Sequence, residues 1–248
     1  MNHSETKANY GIDAPPVVRN LILAGVGCFA LGMVANLLLA QAQLTLVRSL
    51  SLAGFFAGIG MWLGAGLMIW SSLYGKFRER DRLMELIDLR GDEQVLDVGC
   101  GRGLLLIAAA KRLKTGKAVG LDLWQAEDQS GNSPRATLAN ARAEGVFDRV
   151  KLETGDMRQM PFADHTFDVI VSSLAIHNVY EKEGRVKALR EISRALKPGG
   201  RVALLDIQHT EEYSQTLRDL GWMEVQRTAL HFWIFPPVRI VMGKKSSG

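Results

Sequence analysis

The first third of the chain is built from long uncharged apolar runs, and the rest from short ones that change period repeatedly. The run Asn20 to Ala40, NLILAGVGCFALGMVANLLLA, holds no charge over 21 residues. As a helix rising about 1.5 Å per residue it spans roughly 31 Å, one hydrocarbon core. The run Leu50 to Tyr74 is equally free of charge, and Trp70 and Tyr74 near its end suit a membrane interface. Only QAQLTLVRS separates the two, enough for a hairpin. Buried core helices are the alternative, but uncharged runs this long are rare in soluble domains. The tract LLLAQAQ offers Ala40-x-Ala42 as a secretory cleavage site. The apolar part exceeds the usual h-region of about 7–15 residues and a second run follows, so a two-helix transmembrane hairpin is the expectation.

Small residues recur every fourth position in the first run, at Ala24, Cys28, Gly32, Asn36 and Ala40. The second carries Gly54-x-x-x-Gly58 and Gly60-x-x-x-Gly64. Such stripes let helices approach closely in lipid. They join either the two spans or two protomers; the intramolecular hairpin is the default, and oligomerisation through them stays open.

Beyond the second run the pattern becomes that of an α/β domain. RERDRLMELIDL has helical periodicity, and strand-like QVLDVG, AVGLDL, VKLETGD, FDVIVSS and RVALLDI follow. Between them lie the helical LLLIAAAKRLK, SPRATLANARAEG and RVKALREISRAL. Short, continuously apolar strands alternating with helices predict a doubly wound parallel sheet. In the fold class that this alternation indicates, MEVQRTAL and VRIVMGKK would be a final antiparallel pair. The expected organisation is an N-terminal segment over 1–18, the hairpin over 19–75 (spans near 20–40 and 50–74) and a catalytic domain over 76–248.

Charge orients the hairpin. Lys76, Arg78, Arg80 and Arg82 follow the second run, Arg19 precedes the first, and the loop between holds only Arg48. Both termini and the globular domain are therefore expected on the cytoplasmic side of an integral membrane protein. The net charge of +4 comes without a long Lys/Arg run, which argues against a nucleic-acid partner. Cys28 and Cys100 have neither metal-ligand spacing nor a disulfide framework, as in a reducing compartment, and no metal is expected.

The chemistry lies in VLDVGCGRGLL. Gly99, Gly101 and Gly103 give G-x-G-x-G, whereas a dinucleotide fingerprint requires glycine at the position of Leu104. Asp97 ends the first strand, Asp122 the second, and Asp156 follows the third. Ligands in such sheets bind outside the strand carboxyl ends, so the three acids converge on one crevice. Asp122 is placed to accept from two ribose hydroxyls and Asp156 from an adenine amino group.

Over roughly residues 80 to 245 the chain resembles the class I S-adenosylmethionine (SAM)-dependent methyltransferases. The likeness rests on VLDVGCGRG, VGLDL, GDMRQMPFADHTFDVIVSS and LREISRALKPGGRVALLDI, in that order. It implies a Rossmann-like seven-stranded sheet that binds SAM. It further implies that Asp97 and the backbone from Gly99 through Cys100 and Gly101 to Gly103 hold the methionine moiety. Asp122 then holds the ribose and Asp156 with Met157 the adenine, and Leu123 and Ser172 are also expected among the cofactor-binding residues. The connection LWQAEDQSGNSPRAT is longer than the family often shows, and Trp124 in it either stacks near the nucleoside or packs the loop.

After the fourth strand comes SSLAIHNVYEKEG, without the Pro-Pro-aromatic sequence of exocyclic-amine methyltransferases. Neither a Pro-Cys dipeptide nor an Asp ending this strand is present, which leaves a metal-free small-molecule enzyme. His177 is the candidate base or acceptor-positioning residue, against the alternative of a histidine bonded within its loop; His209 is a weaker candidate. The anchor suggests a small hydrophobic acceptor that partitions into the lipid bilayer: a quinone, a lipid, or an apolar thiol or amine. A methyltransferase of a membrane-associated protein and a non-catalytic SAM-binding scaffold are the alternatives. HFWIFPP near the C-terminus is expected to roof the acceptor pocket or dip into the membrane interface, unless it packs on a neighbouring helix.

Overall fold

The computed structural model describes residues 7–39, 45–125 and 129–247. Helices α1 (Pro15–Leu39) and α2 (Thr45–Trp70) form an antiparallel pair, each long and apolar enough to cross a membrane. Little of either helix is buried: Leu31, Leu37 and Phe56 are 71%, 72% and 71% exposed.

The pair is close because glycine faces glycine. A Cβ on Gly32, Gly54 or Gly58 would stand 2.9, 2.9 or 2.8 Å from the carbonyl oxygens of Ser51, Cys28 and Gly25, respectively. Phe29 fills the seam between Phe55 and Trp62, with ring centroids 4.9 and 5.3 Å away. The seam departs from the strict four-residue stripe, since Ala24 and Asn36 are exposed and Gly25 is buried. A four-residue step overshoots a helical turn by about 40°, so such a stripe drifts off the contact face. Gly60 meets nothing within 4 Å. Ala40 and the Ala40-x-Ala42 tract lie outside the described residues.

A π-helical turn, Ser71–Gly75, continues α2 into α3 (Lys76–Ile87). The α/β layer follows, with β1 (Gln94–Val98), α4 (Leu104–Arg112), β2 (Lys117–Asp122), α5 (Pro134–Ala143) and β3 (Val150–Thr154). Then come β4 (Phe167–Ser173), α6 (Lys182–Ala195), β5 (Leu196–Asp206), α7 (Thr210–Asp219), β6 (Met223–Arg227) and β7 (Arg239–Lys244). The seven strands run in the order β3-β2-β1-β4-β5-β7-β6, parallel except for β7. The order reverses between β1 and β4, and that reversal opens a crevice at the strand carboxyl ends. Val95, Val169 and Ala203 turn to a core on one face of the sheet, with α3 and α4; Leu96, Ile170 and Val202 turn to the other, with α6 and α7. Both faces are thus covered, as the continuous apolar strands require.

The segment between β6 and β7 stays outside the crevice and packs on the junction of α2 and α3. Trp233 stacks on Trp70 with centroids 5.7 Å apart, and the Arg78 guanidinium lies 5.2 Å from the Trp233 ring. Ile234 is buried, while Phe232 beside it is 72% exposed. His231 and Glu79, both buried, meet at 2.9 Å and tie this loop to α3.

Candidate cofactor site

The turn after β1 is set by backbone geometry. Gly99, Gly101 and Gly103 have φ of +72°, +49° and +85°, a region that side chains with a Cβ rarely enter. The Leu121 carbonyl accepts from the Gly99 and Cys100 N–H groups at 2.8 and 3.1 Å, fastening the turn to β2. Gly103 closes it by donating to Cys100 O at 2.8 Å and caps α4.

A cavity of about 340 Å³ opens above this turn. Asp97, Gly99, Cys100, Gly101, Asp122, Leu123, Asp156 and Met157 line it, so eight of the ten expected cofactor residues converge. Gly103 lies behind the turn. Ser172 is buried with its hydroxyl donating to Val98 O at 2.7 Å, and its neighbour Ser173 faces the cavity instead. Alternation along β4 sends the two serines to opposite sides.

The three carboxylates differ in state. Asp97 is 1% exposed and accepts from the Leu106 N–H at 2.8 Å. Burial pushes its carboxyl up to about 7; the Leu106 N–H opposes the rise and the Asp122 charge adds to it. Asp122 accepts from the Gly101 N–H at 2.7 Å and the Trp124 N–H at 2.6 Å, so it holds the turn as well as facing the cavity. Asp156 is gripped by Arg158 through Nε and Nη2 at 3.0 and 2.7 Å, and that bonding holds its carboxyl below the usual range. Burial, with Asp97 and Asp122 nearby, keeps the Cys100 thiol protonated.

These residues fit SAM. A buried carboxyl held half-neutral by desolvation is a site for a cation, and the methionyl end carries an ammonium beside a sulfonium. Carboxylates at the ends of β2 and β3 suit ribose hydroxyls and an adenine amine. The cavity lies within the range of small-molecule sites.

Leu174, Ala175, Asn178, Val179, Tyr180 and Glu181 line the cavity wall between β4 and α6. His177 does not line it. Its imidazole Nδ1 lies 2.6 Å from Asp206 Oδ1, outside well-formed hydrogen-bond geometry, and its backbone N–H donates to Oδ2 at 3.1 Å. Tyr213 donates its hydroxyl to the same Oδ2 at 3.1 Å. Trp124 packs its loop, with Nε1 donating to Thr154 at 2.8 Å. His209, at φ +57°, starts α7.

Several residues at the site carried no signal in the sequence. Arg185, buried, pins this wall by donating to Val179 O and Tyr180 O at 2.9 and 2.7 Å while pairing with Glu212. Asp206 was hidden in an apolar strand. Asp13 and Lys76, from the two ends of the helix pair, line the same cavity. Lys76, counted among the orienting charges, is turned into the protein and 4% exposed.

Residues 95–200 match a methyltransferase-domain family. A demethylmenaquinone methyltransferase of Lactiplantibacillus plantarum is 35% identical over 136 residues, 54% of this chain and 53% of that one. A sterol 4-C-methyltransferase of Caenorhabditis elegans is 32% identical over 133 residues, 54% of this chain and 36% of that one. The chain thus spans about half or less of the length of these relatives. The structure of a geranyl diphosphate methyltransferase in complex with SAM has a TM-score of 0.52 at 15% identity, covering 68% of this chain and 85% of that one. That likeness is one of fold. With the glycine turn, the strand-end acids and the sheet order already in place, residues 95–200 form a methyltransferase domain within a sheet of the class I SAM-dependent fold.

Proposed function

We propose that the chain is a membrane-anchored methyltransferase that moves the methyl group of SAM to a small hydrophobic acceptor drawn from the bilayer. One observation carries the reading: Asp13 and Lys76, at the ends of two bilayer-length helices, line the same cavity as the glycine turn. A ligand entering from the lipid surface meets the cofactor site at once. The relatives that act on a demethylmenaquinone and a sterol support an apolar acceptor.

Bound SAM supplies an electrophilic methyl on a sulfonium, so the protein's task is alignment and exclusion of water. Asp97 and the 99–101 backbone hold the methionyl end, Asp122 the ribose and Asp156 the adenine. Leu104, Leu121, Ala175 and Val179 give the cavity apolar walls. We assign His177 a positioning role: Asp206 fixes its backbone N–H, and through it the Ala175–Val179 turn against which the acceptor lies.

The test is to incubate the full chain in lipid nanodiscs with methyl-labelled SAM and a membrane extract of the host. Label in an organic-soluble small molecule is the expected result. Label confined to a protein band would support the protein-methylating alternative. Bound SAM with no label transferred would leave a non-catalytic scaffold.

A further inference from the structure

Residues 8–13 form a strap across the globular domain before α1 begins. Tyr10 is buried in the core, edge-on to Phe77 at 5.7 Å. The Asn9 N–H donates to Asn140 Oδ1 at 2.8 Å, and Ile12 exchanges two bonds with Ser130, through its N–H to Oγ at 2.8 Å and its carbonyl from Ser130 N at 3.0 Å. The strap ends in Asp13. Its carboxylate accepts from Ser72 Oγ at 3.2 Å and Gln129 Nε2 at 3.0 Å, and Lys76 Nζ lies 3.3 Å away. Gln129 in turn accepts from the Arg102 N–H at 2.8 Å, which places Asp13 beside the glycine turn.

Lys76 has its three hydrogens directed at the carbonyls of Tyr10 and Gly11, at 2.9 and 2.8 Å, and at Asp13. It therefore supplies charge to the cavity without a further bond. Asp13 differs. Its side chain is 27% exposed, toward the cavity it lines, and a carboxylate has about four acceptor positions. Ser72 bonds Oδ2, Gln129 bonds Oδ1, and Lys76 Nζ stands 3.3 Å from both oxygens, so an ammonium in the cavity would take over from Lys76 at one of the two.

Among the cavity-lining residues the cations are Lys76 and Arg158, and Arg158 is engaged by Asp156 on the adenine side. An opposed carboxylate and ammonium at the glycine-turn end match an α-amino acid, which carries both charges.

Resting on the cofactor reading above, we infer that Asp13 and Lys76 recognise the zwitterionic amino-acid end of SAM. Asp13 accepts from its ammonium, while Lys76, held by the strap, offsets its carboxylate. The cofactor site is then completed only when the two ends of the helix pair meet: Asp13 stands just before α1, and Ser72 and Lys76 where α2 passes into α3. Anchor and catalytic domain are one functional unit, not a tether and its cargo.

The test separates the amino-acid end from the rest of the ligand. Binding of S-adenosylhomocysteine and of methylthioadenosine, which lacks the amino-acid end, is measured by calorimetry on the full chain in detergent. Asp13→Asn is nearly isosteric and keeps a side chain that Ser72 can bond. It should lose tenfold or more in affinity for S-adenosylhomocysteine and less than threefold for methylthioadenosine. Lys76→Met should show the same selective loss. Equal losses for both ligands mean that the strap only shapes the domain, and that overturns the inference while the methyltransferase reading stands. Unchanged affinity for S-adenosylhomocysteine in Asp13→Asn overturns it too. Failure of the wild-type chain to bind either ligand removes both.

Discussion

Asp97 is where the electrostatics of the site become measurable. Its folded carboxyl titrates about 7, well above the unfolded value near 3.9. The protonated form therefore favours the folded, ligand-free chain; this contribution is full below the unfolded value and is lost as pH rises through about 7. Asp97→Asn removes the buried charge and keeps an acceptor for Leu106 N–H. The variant should melt no lower than wild type at pH 8, an advantage that disappears near pH 4, as differential scanning calorimetry would read. Binding runs the other way. If Asp97 holds the ligand ammonium as proposed, it must be ionised to do so, and wild-type affinity for S-adenosylhomocysteine should level off above pH 7.5 and fall by up to about tenfold per pH unit below 7. A flat profile from pH 5.5 to 8.5 would remove Asp97 from the cofactor contacts. Asp122→Ala would lose the bonds to ribose proposed above and also free the Gly101 and Trp124 N–H groups. Each charge-assisted bond is worth about 1.5–3 kcal/mol, so affinity should drop at least tenfold with the domain still folded. The strand-end acids were legible because each follows an apolar strand whose polarity fixes where it ends. Asp13 was not, since its partners Ser72 and Gln129 lie far along the chain and no local pattern announces the meeting.

At the scale of elements, the sequence reads well where one period persists and poorly where backbone direction changes. The strands appeared as apolar runs and the helices as 3.6-residue patterns, and both stand within a few residues of expectation. The segment from 228 to 238 carried four apolar residues in a row, with nothing to say which surface they covered. Its place is fixed by the buried Glu79–His231 pair and the Trp70–Trp233 stack, two contacts to helices far upstream. Breaking that pair from one side leaves a buried polar group without its partner, at a cost of about 3–5 kcal/mol. Glu79→Ala should therefore lower the melting temperature sharply and expose the loop to proteolysis between α7 and β7, while Trp233→Ser should change stability far less. The wall proposed to meet the acceptor has its own pin. Arg185→Lys keeps the charge but cannot hold Glu212 in a bidentate grip and both carbonyls together. It should raise the acceptor KM more than it changes S-adenosylhomocysteine affinity; a loss confined to cofactor binding would show that the wall is not the acceptor's.

At the scale of the whole molecule, the order of the sheet follows from alternation and connection rules, and the antiparallel last strand belongs to the fold that the sequence resembles. What those rules do not contain is the relation of the helix pair to the crevice. The hairpin is stapled to the cofactor cavity through Asp13, Ser72 and Lys76, and to the C-terminal loop through Trp70 and Trp233. Both ends of the pair thus return to the globular domain, and in a bilayer both must lie on the side where that domain sits. Arg78, Arg80 and Arg82 follow α2 and favour the cytoplasmic face, whereas Arg48 stands in the first turn of α2. A cysteine introduced at Thr45 should react with an impermeant maleimide in intact cells, and one at Ser246 should react only after lysis. The background is low because Cys100 is buried and Cys28 is half-buried in the helix seam. Protection of Thr45→Cys together with labelling of Ser246→Cys would invert the orientation and put the cofactor cavity on the side away from cytosolic SAM. Protection of both in intact cells, relieved together by lysis, would mean that the pair lies within the cytoplasm, packing its exposed leucines against another protein rather than lipid.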